Sequence, residues 1–183
     1  VGEYRYTIRE KAGADSTITY DTKEIGVVVK VTDEDGQLVA KATYDGNAIF
    51  ENDYTPKAGS VVLSAEKVLT GRTLQADEFI FELVDEEGNI LQTKANDATG
   101  QIAFDALAYD KAGEYRYTIR EQAGNDGTIT YDVKELAVVV TVTDEDGQLT
   151  AVAEYEGNQV FENSYQPQAG SVVLSAEKVL TGR

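Results

Sequence analysis

GEYRYTIRE occupies Gly2–Glu10, and the same nine residues return at Gly113–Glu121. In the second copy Tyr115, Tyr117 and Ile119 alternate with Arg116, Thr118 and Arg120, the period-two pattern of a strand with one buried and one wet face. The repetition extends far beyond this strand. Val1–Arg72 laid over Ala112–Arg183, an offset of 111 residues, agrees at 55 of 72 positions. A period of that length is a domain, not the ~20–50-residue unit of a solenoid.

The remaining segments carry the same signal. Phe79, Phe81 and Leu83 alternate with Ile80, Glu82 and Val84, while Val27–Thr32 and Val138–Thr143 run into acidic DEDG turns at Asp33–Gly36 and Asp144–Gly147. Glu86–Asn89 is a similar turn. Asp45–Asn47 and Glu156–Asn158 carry Gly-Asn signals that predict tight hairpins. No stretch combines helical period with caps. Ser64–Leu69 could be drawn as a helical turn, but Val61–Leu63 and Val68–Leu69 suit a strand better. The expected fold is an all-β, Ig-like sandwich of many short strands, in tandem repeat with a period of 111 residues.

The phase of the repeat sets the domains. Pro56 and Pro167 each follow a strand and precede a short polar segment, Lys57–Ser60 or Gln168–Ser171, read as a joint. The expected division is 1–59 as the C-terminal part of a preceding repeat, 60–168 as one complete unit, and 169–183 as the first strand of a following one.

Composition removes several functions. The 183 residues contain no Cys, His, Trp or Met, so a Cys/His metal site, a thiol nucleophile, a histidine triad and a disulfide are all excluded. Thirty-three Asp and Glu against 16 Lys and Arg give a net charge of −17, the wrong field for nucleic acid or anionic lipid. No apolar run reaches the ~18 residues of a membrane span.

Strand parity then singles out three polar residues. Lys67 falls in line with Leu63, Ala65 and Leu69; Glu121 with Tyr115, Tyr117 and Ile119; Asn163 with Phe161 and Tyr165. A buried amine, carboxylate or amide is costly without partners, so three of them in core positions suggest one shared polar site. The pattern equally allows Glu121 to reach water at its strand end, Lys67 to snorkel and Asn163 to close a turn.

Four ordered stretches add a resemblance: SAEKVLTGR at Ser64–Arg72, DEFIFELVDEEGN at Asp77–Asn89, GQIAFDALAYDKAGEYRYTIRE at Gly100–Glu121 and VFENSY at Val160–Tyr165. Together they resemble the isopeptide-linkage domain of Gram-positive surface proteins and pilins, a CnaB-like sandwich. The resemblance implies a covalent bond between Lys67 on the first strand and Asn163 near the end of the last, assisted by Glu121. It implies no cofactor and no metal. It also implies a chain that reacts once with itself and is not a turnover enzyme. Buried Lys67 would be a neutral nucleophile and buried Glu121 a protonated acid polarising the Asn163 carbonyl. Glu10 and Asn52 match Glu121 and Asn163, and Lys178 matches Lys67, but each set is incomplete within these residues. A Lys178 strand completing the Glu10/Asn52 half, in the same molecule or a neighbour, is a further expectation.

The implied role is a stalk module of a cell-surface adhesin or pilin, extracellular and cell-wall anchored. Its partners would be neighbouring repeats of the same parent chain, with a host or bacterial surface ligand engaged through other domains. The competing role is a ligand-binding adhesin module recognising a protein or glycan. Calcium at the DEDG turns is the weaker reading, because they lack the longer ligand spacing of an EF-hand loop; a solvated acidic turn is expected.

Overall fold

The computed structural model describes residues 1–182 and contains 16 strands. The first five are β1 (Gly2–Arg9), β2 (Ile18–Thr19), β3 (Glu24–Glu34), β4 (Gln37–Tyr44) and β5 (Asp53–Tyr54). They make a three-stranded sheet in the order β1-β3-β4 and the small pair β2-β5. The next eleven are β6 (Gly59–Val61), β7 (Ser64–Thr70), β8 (Ile80–Asp85), β9 (Ile90–Ala95), β10 (Gln101–Ala103), β11 (Leu107–Tyr109), β12 (Gly113–Glu121), β13 (Ile129–Thr130), β14 (Glu135–Glu145), β15 (Gln148–Glu156) and β16 (Val160–Tyr165). They make a five-stranded sheet, β15-β14-β12-β8-β9, a four-stranded sheet, β10-β7-β16-β13, and the pair β11-β6.

The two larger sheets enclose the core. Phe81 and Leu83 of β8, Ile119 of β12 and Val138 and Val140 of β14 are fully buried, as are Leu63 before β7 and Phe161 of β16. The alternation expected for β8 holds through Leu83. A register shift between Leu83 and Val84 then breaks it, and Val84 is buried too. Ser64–Leu69 is strand, flanked by β10 on one side and by β16, in parallel, on the other. The first strand is broken: β6 pairs with β11, and β7 resumes after Val62 and Leu63 in a different sheet.

The DEDG turns close antiparallel hairpins, β3-β4 and β14-β15, with Asp35 and Gly36, and Asp146 and Gly147, at positive φ. The Glu156–Asn158 turn behaves differently from expectation. β15 and β16 do not pair; the chain crosses from the five-stranded sheet to the four-stranded one, and Asn158 Oδ1 accepts from the Val160 amide at 3.0 Å. A Gly-Asn turn signals the reversal but not which sheet receives the next strand.

Two further expectations are corrected. Residues 169–182 form no strand, and Val172, Val173, Leu174, Val179 and Leu180 are exposed; residue 183 lies outside the described residues. Residues 171–183 repeat residues 60–72 letter for letter, so propensity is not the cause. A lone strand has no ladder partner, whereas β7 has one on each edge. The Asp144–Gly147 turn is also not solvated as a whole: Gly147 is buried, and a Cβ there would lie 2.7 Å from Thr17 Cγ2.

Gly100 shows how tightly β7 is held. It has φ +94° and a Cβ there would meet the Lys67 carbonyl oxygen at 2.2 Å, while its own carbonyl accepts from the Lys67 amide at 2.7 Å. Gly100→Ala is expected to cost about 2 kcal/mol or more through left-handed strain and backbone collision. Gly88→Ala, at φ +88° with nothing within 4 Å, isolates the strain alone and should cost less. Urea midpoints of the two variants measure the difference.

Candidate functional site

β7 and β16 lie side by side in one sheet, and β12 crosses in the facing one. β7 contributes Lys67, β16 contributes Asn163, and β12 contributes Glu121 from its last residue. Lys67 and Asn163 are each 1% exposed, and the Glu121 side chain has no exposure at all. The three meet. Lys67 Nζ donates to Glu121 Oε2 at 2.6 Å, and Asn163 Nδ2 donates to Glu121 Oε1 at 2.6 Å. One carboxyl group therefore bridges amine and amide, one oxygen for each.

The amide orientation is dictated by its surroundings. Asn163 Oδ1 accepts from the Asp132 backbone amide at 2.7 Å, and a backbone N–H has no acceptor role. The carbonyl oxygen must face it, so the amide nitrogen faces Glu121. This corrects the expectation that Glu121 polarises the Asn163 carbonyl: that oxygen is held by the main chain of Asp132 instead. Asp132 is itself braced, its carboxylate accepting from the amides of Lys134 and Glu162 at 2.9 Å each. Burial works to raise its pKa, but those two hydrogen bonds and the Lys134 and Lys67 charges hold it below the ordinary carboxylate range.

Apolar walls do the rest. Lys67 Nζ sits 4.8 Å from the Phe79 ring centre and 5.8 Å from that of Phe81, and Phe81 packs edge-on against Phe161 at 5.2 Å. Asn96, buried between β9 and β10, positions Phe79 by accepting from its amide at 2.8 Å. Desolvation by this box pulls the Lys67 amine below its ordinary pKa, and the Glu121 hydrogen bond and charge oppose the shift without reversing it.

Sequence parity did not reveal Asp132 or Asn96. The Asp132 main-chain donor has no side-chain signature, although Asp132 and Lys134 recur as Asp21 and Lys23. Asn96 stands at a strand end with no flanking apolar alternation.

The first five strands hold a partial copy. Asn52 Nδ2 donates to Glu10 Oε1 at 2.8 Å, and Asn52 Oδ1 accepts from the Asp21 amide at 2.8 Å, matching the Asn163 arrangement. Glu10 Oε2, the counterpart of the oxygen that holds Lys67, is buried without a partner among the described residues. Lys178 lies on the exposed tail outside any strand and does not join Glu10 and Asn52. No group of three or more potential metal-ligating side chains forms among the described residues.

The site is thus a buried amine, carboxyl and amide in mutual contact between the two sheets of a β-sandwich. The family described as FctA: Spy0128-like isopeptide containing domain matches residues 1–55 and 63–166, and the chain belongs to it. A crystal structure of a mutant of the major pilin from Streptococcus pyogenes is similar at 15% identity, with a TM-score of 0.30 over 90% of this chain and 70% of that one. No curated protein matches the chain.

The Lys67 shift has a testable sign. In Asn163→Ala, which retains a titratable Lys67, the unfolded amine has its ordinary value of 10.5 and the folded one lies lower. Between those values the unfolded state binds more protons, so stability rises with pH through that window. The urea midpoint of Asn163→Ala should gain on that of Lys67→Met/Asn163→Ala as pH goes from about 7 to 10. The opposite slope would mean that Glu121 outweighs desolvation.

Proposed function

We propose that residues 60–168 form a self-crosslinking stalk module, joined internally by an isopeptide bond between Lys67 and Asn163. The observation that carries this reading is the single Glu121 carboxyl that holds the amine on one oxygen and the amide nitrogen on the other. Lys67 passes a proton to Glu121 Oε2 and becomes a neutral amine. Its Nζ attacks Asn163 Cγ, and the charge that develops on Oδ1 is received by the Asp132 N–H. Glu121 delivers protons from Oε1 to the departing Nδ2; the Cγ–Nδ2 bond breaks as the Cγ–Nζ bond is kept. Both protons shed by the ammonium in forming the amide end on the nitrogen that leaves as ammonium. Folding supplies the proximity an inert amide needs. The reaction happens once per molecule.

The same reading extends to the chain as a whole. We read it as a tandem array of period 111: residues 1–59 the end of one unit, 60–168 a whole one, and 169–183 the start of another. Matching registers support this. Gly2 pairs with Val31 and Arg9 with Glu24, as Gly113 pairs with Val142 and Arg120 with Glu135. Family membership supports an extracellular, cell-wall-anchored setting in which such modules space an adhesive tip from the cell, with neighbouring repeats as the immediate partners.

Intact mass tests the bond. The purified chain should weigh one ammonia less than its linear sequence, with the Lys67 and Asn163 peptides fused. Glu121→Ala should restore the full mass and separate the peptides. The bond joins two residues 96 positions apart in sequence. By the loop-closure estimate for a disulfide its loss should cost about 4–5 kcal/mol, beyond the disruption of the buried pair. Full mass in the unaltered chain would bring the ligand-binding reading forward.

A further inference from the structure

The short connection between β13 and β14 carries the chain from the four-stranded sheet to the five-stranded one, and it does so beside Asn163. Val133, in its middle, is 92% exposed, while Asp132 and Lys134 on either side of it are half-buried. The Asp132 carboxylate grips two main-chain amides. Oδ1 accepts from Lys134 at 2.9 Å, which closes the turn, and Oδ2 accepts from Glu162 of β16 at 2.9 Å. β13 pairs with β16 only at Ile129–Tyr165 and Thr130–Ser164, so the carboxylate stands in for a strand partner at Glu162. Lys134 anchors the far side of the connection. Its Nζ donates to the carbonyls of Asn158, at 3.1 Å, and Val160, and lies 4.5 Å from the Phe161 ring centre. Pinned to β16 at both ends, the connection directs the Asp132 N–H at Asn163 Oδ1, 2.7 Å away.

The partial copy shows that this cradle does not need the amine. Asp21 accepts from the Lys23 and Glu51 amides at 2.9 and 3.0 Å, and its own amide donates to Asn52 Oδ1 at 2.8 Å. Yet Glu10 Oε2, where an amine would sit, has no partner among the described residues. The donor is therefore set by the connection itself and not by adjustment to the lysine. A donor fixed in advance is worth most where charge develops, because nothing has to reorganise as the reaction proceeds.

We infer that Asp132 is a positioning residue for the reaction of Lys67 with Asn163: its carboxylate, with Lys134 as second anchor, aims the Asp132 N–H at Asn163 Oδ1 and so sets how fast the bond forms. The inference rests on the isopeptide reading given above. As Nζ bonds to Cγ, the electron pair of the carbonyl moves onto Oδ1. It returns to Cγ as the Cγ–Nδ2 bond breaks and that bond's electrons leave with nitrogen. Asp132 gives up no proton in either step; its N–H is a hydrogen-bond donor throughout. Without the carboxylate the connection loses its hold on Glu162, the N–H loses its aim, and the amide is no longer kept with its nitrogen toward the Glu121 oxygen that must protonate it.

The test separates folding from reaction. The full chain is made with Lys67 blocked as a photocleavable carbamate, unblocked by light in concentrated urea, and diluted to start folding. Circular dichroism follows folding, and intact mass follows the loss of one ammonia. Asp132→Ala is expected to fold and then cross-link about a hundredfold more slowly than the unaltered chain. Asp132→Asn keeps an oxygen for the Lys134 amide but sets an NH2 group against that of Glu162, and its rate should fall between the two. It also decides the matter should Asp132→Ala not fold. Asp85→Ala is the control. Asp85 also holds a turn by its carboxylate, accepting from the Asn89 amide at 2.7 Å, but at the opposite end of β8 from Phe81. Its cross-linking rate should be unchanged. Folded Asp132 variants that cross-link as fast as the unaltered chain, or an equal slowing in Asp85→Ala, overturn the inference and leave the isopeptide reading standing. An unaltered chain that folds and loses no ammonia overturns both.

Discussion

The structure depends on a carboxyl group placed where it must satisfy two donors at once. Glu121 sits at the end of β12 with both oxygens engaged, one by the Lys67 amine and one by the Asn163 amide. None of the three reaches water. An unpaired charge in such a place costs several kcal/mol, so the sheets can approach only in the register that brings all three together. The neighbouring devices serve that register. Gly100 admits the chain against the back of Lys67, Asn96 anchors Phe79 over the amine, and Asp132 fixes which way the amide faces.

The partial copy shows what the missing strands contribute. Glu10 and Asn52 already hold the relation seen between Glu121 and Asn163, within a few tenths of an ångström. That geometry therefore comes from the local β1-β3-β4 framework and the Asp21 segment, not from the amine. Yet in the sheet leading to Glu10, Tyr4, Tyr6 and Ile8 are exposed, while Ile25 and Val27 of β3, the cross-strand partners of Ile8 and Tyr6, are buried.

Much of this was legible in the residues because strand parity is strict. Alternation along Leu63–Leu69, Tyr115–Glu121 and Phe161–Tyr165 lines up the amine, acid and amide with core residues, although the same letters equally allow each to reach water or close a turn. The parts that escaped are those that side-chain patterns do not encode. A backbone donor such as Asp132 carries no letter of its own. The crossing after Glu156 depends on which sheet has an open edge, and the loss of strand in 169–182 depends on the absence of partners. The two DEDG turns are identical in letters and differ in surroundings, which is a tertiary fact.

The parallel pairing of β7 and β16 also fixes how the unit answers a pull on its two ends. β7 is entered from the N-terminal side and β16 leaves on the C-terminal side, with Val160 beside Glu66 and Ser164 beside Thr70. Opposed forces on two parallel neighbours slide one along the other. The hydrogen bonds of the ladder are then strained together and share the load, where an antiparallel hairpin would surrender them singly from its open end. Resistance to shear is thus written into strand direction, and it is present from the moment the chain folds, whatever chemistry follows.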